Sequence, residues 1–257
     1  MNIVLDIRKT VEQNASYYFE KSKKAKKKLK GALSAVARAE ADLANLEKAR
    51  RMEEKKIEPA VQRKKEWYEK FRWFISSSGF LVIGGRDATT NEIIIKKYLD
   101  KNDLVFHTDI AGSPFVVVKS EGKDIDKKTI EEAAVFCAVF SRAWKAGRSS
   151  QEVYCINPEQ VSKKTKSGEY LSKGSFMIYG ERKYFSAELK LAIGTKNSMV
   201  IAGPVDAVRK HCEKFVELTH GDEKTSSAAK LIRKLAGGEL DDIIRALPSG
   251  GCRVKLN

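Results

Sequence analysis

The chain has 257 residues and a formal net charge of +15, from 49 Lys and Arg against 34 Asp and Glu. Its 42% hydrophobic content is enough for a packed core, which excludes wholesale disorder, and the length fits one or two domains. The charge is lopsided: residues 1–73 hold 20 basic and 11 acidic side chains, a net of +9, and the remainder holds +6. This pattern describes a basic appendage on an ordinary globular body. It calls for anionic partners, nucleic acid before an anionic membrane. The longest apolar run, Ala133–Phe140, is far short of the roughly 20 residues of a bilayer span, so no membrane is expected. No signal peptide is recognisable in the first thirty residues, and a cytoplasmic location is expected. Four well-separated cysteines without a CxxC read as buried free thiols of a reducing compartment. Three histidines without HExxH spacing predict no metal site, and nothing predicts a cofactor.

In chain order, Met1–Thr10 alternates like a short strand. A long helix then runs from Glu12 to about Lys56, roughly 68 Å at ~1.5 Å per residue, with Gly31 its single glycine. Leu29, Ala32, Val36, Ala39, Leu43 and Leu46 repeat at spacings of three and four among charged residues, a heptad seam that one helix cannot bury alone. Seven lysines fall within Lys21–Lys30. They read either as a solvated, self-repelling stretch or as a stripe that follows a phosphate backbone. Pro59 punctuates the chain, and Ala60–Arg72 reads as a second, shorter helix.

From Trp73 the periodicity changes. Trp73–Ser76 and Phe80–Gly84 read as strands of a hairpin, and a helix follows from about Thr90 to Asp100. Leu104–Asp109 and Phe115–Lys119 are strands, and Thr129 with Glu132 reads as a capping box for a helix over Ile130–Lys145. Val153–Ile156 is a buried strand and Gln160–Ser175 a polar loop. Phe176–Tyr179 and Lys183–Phe185 look hairpin-like around Gly180. Strands follow near Leu189–Ile193, Met199–Ala202 and Arg253–Leu256, with helices near Val205–Phe215, Ser226–Leu235 and Leu240–Ala246. Strands and helices without regular βαβ alternation predict an α+β fold: a long helical coiled-coil arm followed by a mixed α/β domain. The expected domains are an arm over 1–72 and a mixed α/β body from residue 73 onward. No GxxxxGKS/T or GxGxxG appears.

Three clusters carry chemistry. Gly84–Glu92 (GGRDATTNE) offers Arg86 as a planar fork for phosphate, with Asp87 to orient it and Asn91 as a cap or base contact. The same residues also suit a plain strand-to-helix turn. His107 and Asp109, two apart, share one face of a strand and resemble half of an acid/base pair. No nucleophile accompanies them, so a structural hydrogen bond or an RNA-facing histidine is the better reading. Gln160–Ser175 gathers Lys163, Lys164, Lys166 and Lys173 among hydroxyls, with Tyr170 placed to stack on an unpaired base.

Those stretches resemble a known family. Trp67–Glu92 (WYEKFRWFISSSGFLVIGGRDATTNE) is close to its pattern WFEKFRWFISS-x-G-x-LVIGGRDAxxNE. His107–Gly112 is similar to HADIHG, Gln160–Gly180 to QVSKxxxSGEYLxxGSFMIxG, and Leu5–Lys26 to LD…NAxxYYEKxKKxK. Together they resemble the coiled coil plus NFACT-R (DUF814) domain of NFACT proteins, of RqcH/NEMF type and also labelled fibronectin-binding-protein-A-like. Residues past 186 look like an archaeal-type extension. The resemblance thus implies an RNA-binding domain over 73–186 and a C-terminal extension over 187–257 packed on it. Thr108 and Ala111 depart from the pattern at its alanine and second histidine, and Lys166 stands where proline is usual. The resemblance implies a factor of ribosome-associated quality control that binds large ribosomal subunits carrying stalled peptidyl-tRNA. In the full-length pattern an NFACT-N and a helix-hairpin-helix domain come first, and neither is seen in this sequence.

The resulting expectation is a non-enzymatic module whose partners are the large ribosomal subunit, rRNA and tRNA. RNA contacts are expected at Arg86, His107, Lys163, Lys164, Lys166 and Tyr170, with Lys24, Lys27 and Lys28 on the helix stripe. The alternative is a coiled-coil scaffold without direct RNA binding, pairing with itself or another helix through Leu29, Val36, Leu43 and Leu46. A hydrolase built on His107 and Asp109 is the weakest alternative.

Overall fold

A computed structural model describes residues 3–56, 65–164 and 171–255, with side chains omitted over 48–56. The chain divides into two compact units, 1–63 and 64–257. The first is built on helix α1 (Val11–Lys56). Thr10 and Gln13 cap it reciprocally: the Gln13 amide donates to Thr10 Oγ1 at 3.2 Å and the Thr10 amide to Gln13 Oε1 at 3.0 Å. The strand expected over Met1–Thr10 is not formed. Residues 3–10 fold back instead, because Asn14 pairs with the Asp6 backbone as another strand would. Asn14 Oδ1 accepts from the Asp6 amide at 2.9 Å and its Nδ2 donates to the Asp6 carbonyl at 3.0 Å. The Tyr18 hydroxyl donates to the Val4 carbonyl at 2.6 Å. The seam residues Leu29, Val36, Leu43 and Leu46 are 55–68% exposed.

The second unit contains β1 (Arg72–Ile75), β2 (Leu81–Gly84), α2 (Ala88–Lys97), β3 (Leu104–His107), β4 (Val116–Val118), α3 (Lys127–Val139), α4 (Arg142–Lys145) and β5 (Ser150–Ile156). It continues through β6 (Val161–Ser162), β7 (Met177–Ile178), β8 (Lys183–Glu188), β9 (Leu191–Lys196), β10 (Met199–Gly203) and α5 (Val205–His211). It ends with β11 (Lys214–Glu223), α6 (Thr225–Ala236), α7 (Leu240–Ala246) and β12 (Cys252–Lys255). The fold is α+β with antiparallel sheets. One has six strands in the order β1-β2-β4-β3-β5-β8, one has four in the order β10-β9-β11-β12, and β6 pairs with β7 alone. Among the described residues no helix is long and apolar enough to cross a membrane.

The inner strands β2, β4 and β3 of the six-stranded sheet, and the end of β5, are buried on both faces. Alternate residues divide between two apolar clusters, as a period of two requires. Val82, Phe106, Val116, Val118, Val153 and Cys155 join the main core, together with α3 and the C-terminal elements. Ile83, Val105, Val117, Tyr154 and Ile156 join Ile94 of α2 and Phe71 on the other face. The main core runs without interruption into Ala187, Leu191, Ile193, Leu218, Ile232 and Val254. Buried Trp144 reaches across to the last strand, its Nε1 donating to the Gly251 carbonyl at 3.0 Å.

Several sequence expectations are corrected. Asp126, not Thr129, caps α3, accepting from the Thr129 amide at 2.9 Å. Glu132 accepts instead from the Ser77 amide at 2.8 Å and from its hydroxyl, which ties α3 to the β1–β2 turn. The helix expected over Ile130–Lys145 is two helices, because Ser141 Oγ accepts from the Ala143 amide at 3.1 Å and starts α4. Phe176–Tyr179 and Lys183–Phe185 do not form a hairpin: β7 pairs with β6 and β8 with β5. The expected helix over Ala60–Arg72 falls partly outside the described residues. Its described part is a single 3-10 turn, Trp67–Lys70. Strand β11 takes up the end of the helix expected over Val205–Phe215 and has no counterpart among the expected strands. The four cysteines are buried and free.

Two measurements check these ties. Asn14→Ala is expected to leave the Asp6 backbone without its partner and to speed hydrogen exchange at the Asp6 amide by about tenfold, the worth of one hydrogen bond. Glu132→Leu is expected to lower stability by about 1–3 kcal/mol in urea denaturation, because buried Ser77 loses its acceptor.

Candidate nucleic-acid interface

The first cluster folds as a strand-to-helix turn. Gly85 follows β2, and a Cβ there would lie 1.8 Å from Asn91 Oδ1, so only glycine admits the buried Asn91 side chain. Asn91 Oδ1 accepts from the Phe115 amide at 3.0 Å. It pins the start of α2 to the turn between β3 and β4, which is a structural role rather than the expected base contact. Asp87 caps α2, accepting from the Thr90 amide at 2.8 Å, while Thr90 Oγ1 accepts from the Arg86 amide at 2.8 Å. Hydrogen bonds from Thr90, backbone first, hold the Asp87 carboxyl below its ordinary range.

Asp87 therefore does not orient Arg86. The half-buried Arg86 fork donates to two backbone carbonyls, Arg245 through Nη1 and Phe71 through Nη2, both at 2.9 Å. Beside it lies Arg72, whose Nη1 donates to the Gly85 carbonyl at 3.2 Å and whose guanidinium sits 4.5 Å from the Phe140 ring centroid. Its Nε is buried with no hydrogen-bond partner. Burial, then the neighbouring Arg86 charge, pushes the Arg72 pKa down to about 10. Burial, then Arg245, lowers that of Arg86. Neither guanidinium has a carboxylate within salt-bridge distance among the described residues.

His107 ends β3. Its ring stacks on Phe115 with centroids 4.1 Å apart, and Nδ1 lies 2.9 Å from the Pro114 carbonyl. A carbonyl only accepts, so Nδ1 carries the proton and Nε2 is left as an acceptor. Burial lowers the His107 pKa, which keeps the ring neutral at neutral pH. The acid/base pairing with Asp109 is not made: Asp109 accepts from Arg182 Nη1 at 2.8 Å. Arg182 also lies over the Tyr154 ring at 4.6 Å.

The basic loop is anchored on α2. Glu92 Oε2 accepts from the Gly174 amide at 3.0 Å, and Glu92 pairs with Lys96 at 2.7 Å and with Lys163 at 3.6 Å. The bond from Lys96, then that from Gly174, brings the Glu92 pKa down to about 2. Gly174 has φ +78° and packs against Ala88, where a Cβ would lie 2.6 Å from Ala88 Cα. Lys163 donates to the Ser172 carbonyl at 3.1 Å and covers the Phe176 ring at 4.7 Å. Its charge is thus partly engaged within the protein, while Lys164 is exposed. Lys166 and Tyr170 lie outside the described residues. Lys24, Lys27 and Lys28 are exposed on α1 in the first unit, at i, i+3 and i+4, and so share one side of that helix.

These turns line a cleft of about 750 Å³ across one end of the six-stranded sheet, where β2 and β3 end and β1, β4 and β8 begin. Arg86 and His107 both line it; Lys163 and Lys164 are not part of its wall. The lining also holds Lys173 of the basic loop, and Arg72, Arg142, Lys145 and Arg182, which sequence reasoning did not select, against Asp87 and Asp109. Asp109 is paired and Asp87 is committed to its cap. Arg142, Lys145 and Lys173 are exposed, with no carboxylate partner among the described residues. A signal for Arg72 is present in the sequence, as a cation within an apolar strand (RWFI). Among the described residues no cluster of His, Cys, Asp and Glu suits a metal ion.

Residues 70–180 match the family described as NFACT protein RNA binding domain. The chain is 43% identical over 202 residues to the archaeal Rqc2 homolog aRqcH of Methanocaldococcus jannaschii, covering 76% of this chain and 30% of that protein. It is 37% identical over 176 residues to the Homo sapiens ribosome quality control complex subunit NEMF, covering 66% and 16%. It is 36% identical over 124 residues to ribosome quality control complex subunit 2 of Schizosaccharomyces pombe, covering 48% and 12%. The chain thus spans less than a third of the length of each of these relatives. With the matched segment running from β1 to β7 and including most of the cleft, the chain belongs to the NFACT family, of RqcH/NEMF type, and carries its RNA-binding domain.

Proposed function

We propose that this chain is the RNA- and ribosome-binding module of a ribosome-associated quality-control factor, one that engages large subunits carrying stalled peptidyl-tRNA in the cytoplasm. The observation that carries this reading is the cleft: Arg72, Arg86, Arg142, Lys145 and Lys173, all within the segment that matches an RNA-binding family, converge there with Arg182, and its two carboxylates are already committed. The relatives named as ribosome quality control subunits support the setting. In this reading residues 1–72 are a basic arm, 73–186 the RNA-binding domain and 187–257 an extension packed on it. Exposed lysines of the arm and the loop follow phosphates, and the cleft takes hold of RNA locally. The chain binds and does not catalyse: His107 and Asp109 are engaged with separate partners, and neither meets a nucleophile.

A second reading, a helical protein-interaction scaffold, is favoured by the exposed seam of α1. An apolar seam at heptad spacing is stabilised by burial against another helix.

Titration of the full chain with rRNA or tRNA fragments across salt is expected to give a log–log slope that grows by about 0.7–0.9 per phosphate contact. Charge reversal at Lys163, Lys164 and Lys166 together is expected to weaken binding and flatten that slope. A flat salt dependence, or no RNA binding, refutes the RNA reading. Leu43→Lys separates the second reading: if α1 works through protein partners, sedimentation is expected to show lost association while RNA affinity is kept.

A further inference from the structure

Within the RNA-binding reading, on which this step rests, we propose that the cleft seats one unpaired ribonucleotide, its phosphate on Arg72 and Arg86 and its 2′-hydroxyl on His107 Nε2, so that the site prefers RNA to DNA. The cleft's volume of about 750 Å³ lies within the roughly 300–1,000 Å³ of single-ligand pockets, a size that fits one nucleotide.

Two half-buried guanidiniums side by side, with Asp87 and Asp242 acting on them only from beyond salt-bridge distance, are an arrangement that an anion completes. Only three of their N–H groups donate to protein, all to backbone carbonyls, which leaves further Nη protons on both forks; Arg72 Nε is closed off from solvent and is not one of the donors offered. Planar forks with spare donors suit the oxygens of a phosphate. The start of α2 is not the attraction, since Asp87 already occupies it.

His107 poses the complementary demand. Its neutral ring presents a lone pair at Nε2, with no partner for that atom among the described residues. A phosphodiester has no proton to give it. A ribose 2′-hydroxyl has one, and deoxyribose lacks the group. The phosphate can belong to a chain interior or to a 5′ end, and the two are separable by experiment.

The test uses the full chain and fluorescence anisotropy with one oligonucleotide sequence in five forms: single-stranded RNA, 5′-phosphorylated RNA, 2′-O-methyl RNA, DNA, and duplex RNA. Single-stranded RNA is expected to bind about three- to tenfold tighter than DNA and 2′-O-methyl RNA, the range of one hydrogen bond, and also tighter than the duplex. A further gain on 5′ phosphorylation assigns the site to a chain end; equal affinity assigns it to an internal phosphodiester. His107→Phe, which keeps a ring on Phe115, is expected to bring RNA down to the DNA level while DNA binding stays unchanged. Arg86→Gln is expected to weaken both alike, with circular dichroism confirming the fold. The ribose-modified ligands test the wild-type protein, so a misfolded variant does not decide the matter. RNA bound with no preference over DNA or 2′-O-methyl RNA overturns this proposal and leaves the RNA reading standing. No RNA binding at all overturns both.

Discussion

The second unit depends on one constraint: the inner strands of its six-stranded sheet are covered on both faces. Apolar side chains alternate into two clusters along β2, β3, β4 and β5, so neither face is left to carry polar chemistry. What a doubly covered sheet leaves free is its ends, where strands stop and backbone groups need other partners. The cleft occupies one such end. Its walls are held by side chains that stand in for strand pairing: Asn91 on the Phe115 amide, Asp87 on the Thr90 amide, and Glu92 on the Gly174 amide. Each anchor is a short polar group from α2 or from the turn before it. The helix thus sets the positions of both the histidine turn and the basic loop.

This arrangement explains the division of labour among the charges. The carboxylates near the site are consumed by structure: Asp87 by a cap, Asp109 by Arg182, and Glu92 by Lys96, Lys163 and a backbone amide. The cations outnumber them, and the two least solvated, Arg72 and Arg86, feel Asp87 and Asp242 only from beyond salt-bridge distance. Arg72 and Arg86 are held by carbonyls, which fix a guanidinium in place without neutralising it. Electrostatic preorganisation of this kind comes from burial and geometry. It does not depend on the total charge of the chain.

Much of the fold is legible in the sequence because most elements carry their own signal. The long uninterrupted helix α1, the apolar runs of β2 and β4, and α6 and α7 follow from periodicity and from the placing of glycine and proline. Pairing is not legible. β7 and β8 flank Gly180 like the arms of a hairpin, yet each finds its partner earlier in the chain, a choice made by tertiary packing. β11 is obscured because its start continues the apolar pattern of α5, although Val216 and Leu218 alternate inward as a strand requires. The cap of α3 is ambiguous in the sequence because two candidates, Asp126 and Thr129, precede the same apolar run, and Glu132 is claimed by a turn far away in the chain. At the site, Arg86 and His107 stand out because they sit inside dense motifs. Arg72 sits in the same motif as Arg86 but reads as part of an apolar strand, Arg142, Lys145 and Arg182 lie in separate, unremarkable stretches, and only the sheet's end brings the four together.

The continuity of the main core has a further consequence. The segment that matches the RNA-binding family ends at residue 180, but β8, which closes the six-stranded sheet, begins after it. The same core includes residues as late as Val254, and Trp144 donates to the Gly251 carbonyl. A chain cut at the family boundary would expose the inner face of that core and leave β5 as an unprotected sheet edge. The RNA-binding segment and the elements from β8 to β12 therefore share one interior, and are expected to unfold together. The C-terminal stretch is the missing half of the domain's interior, and it cannot be removed as a detachable attachment.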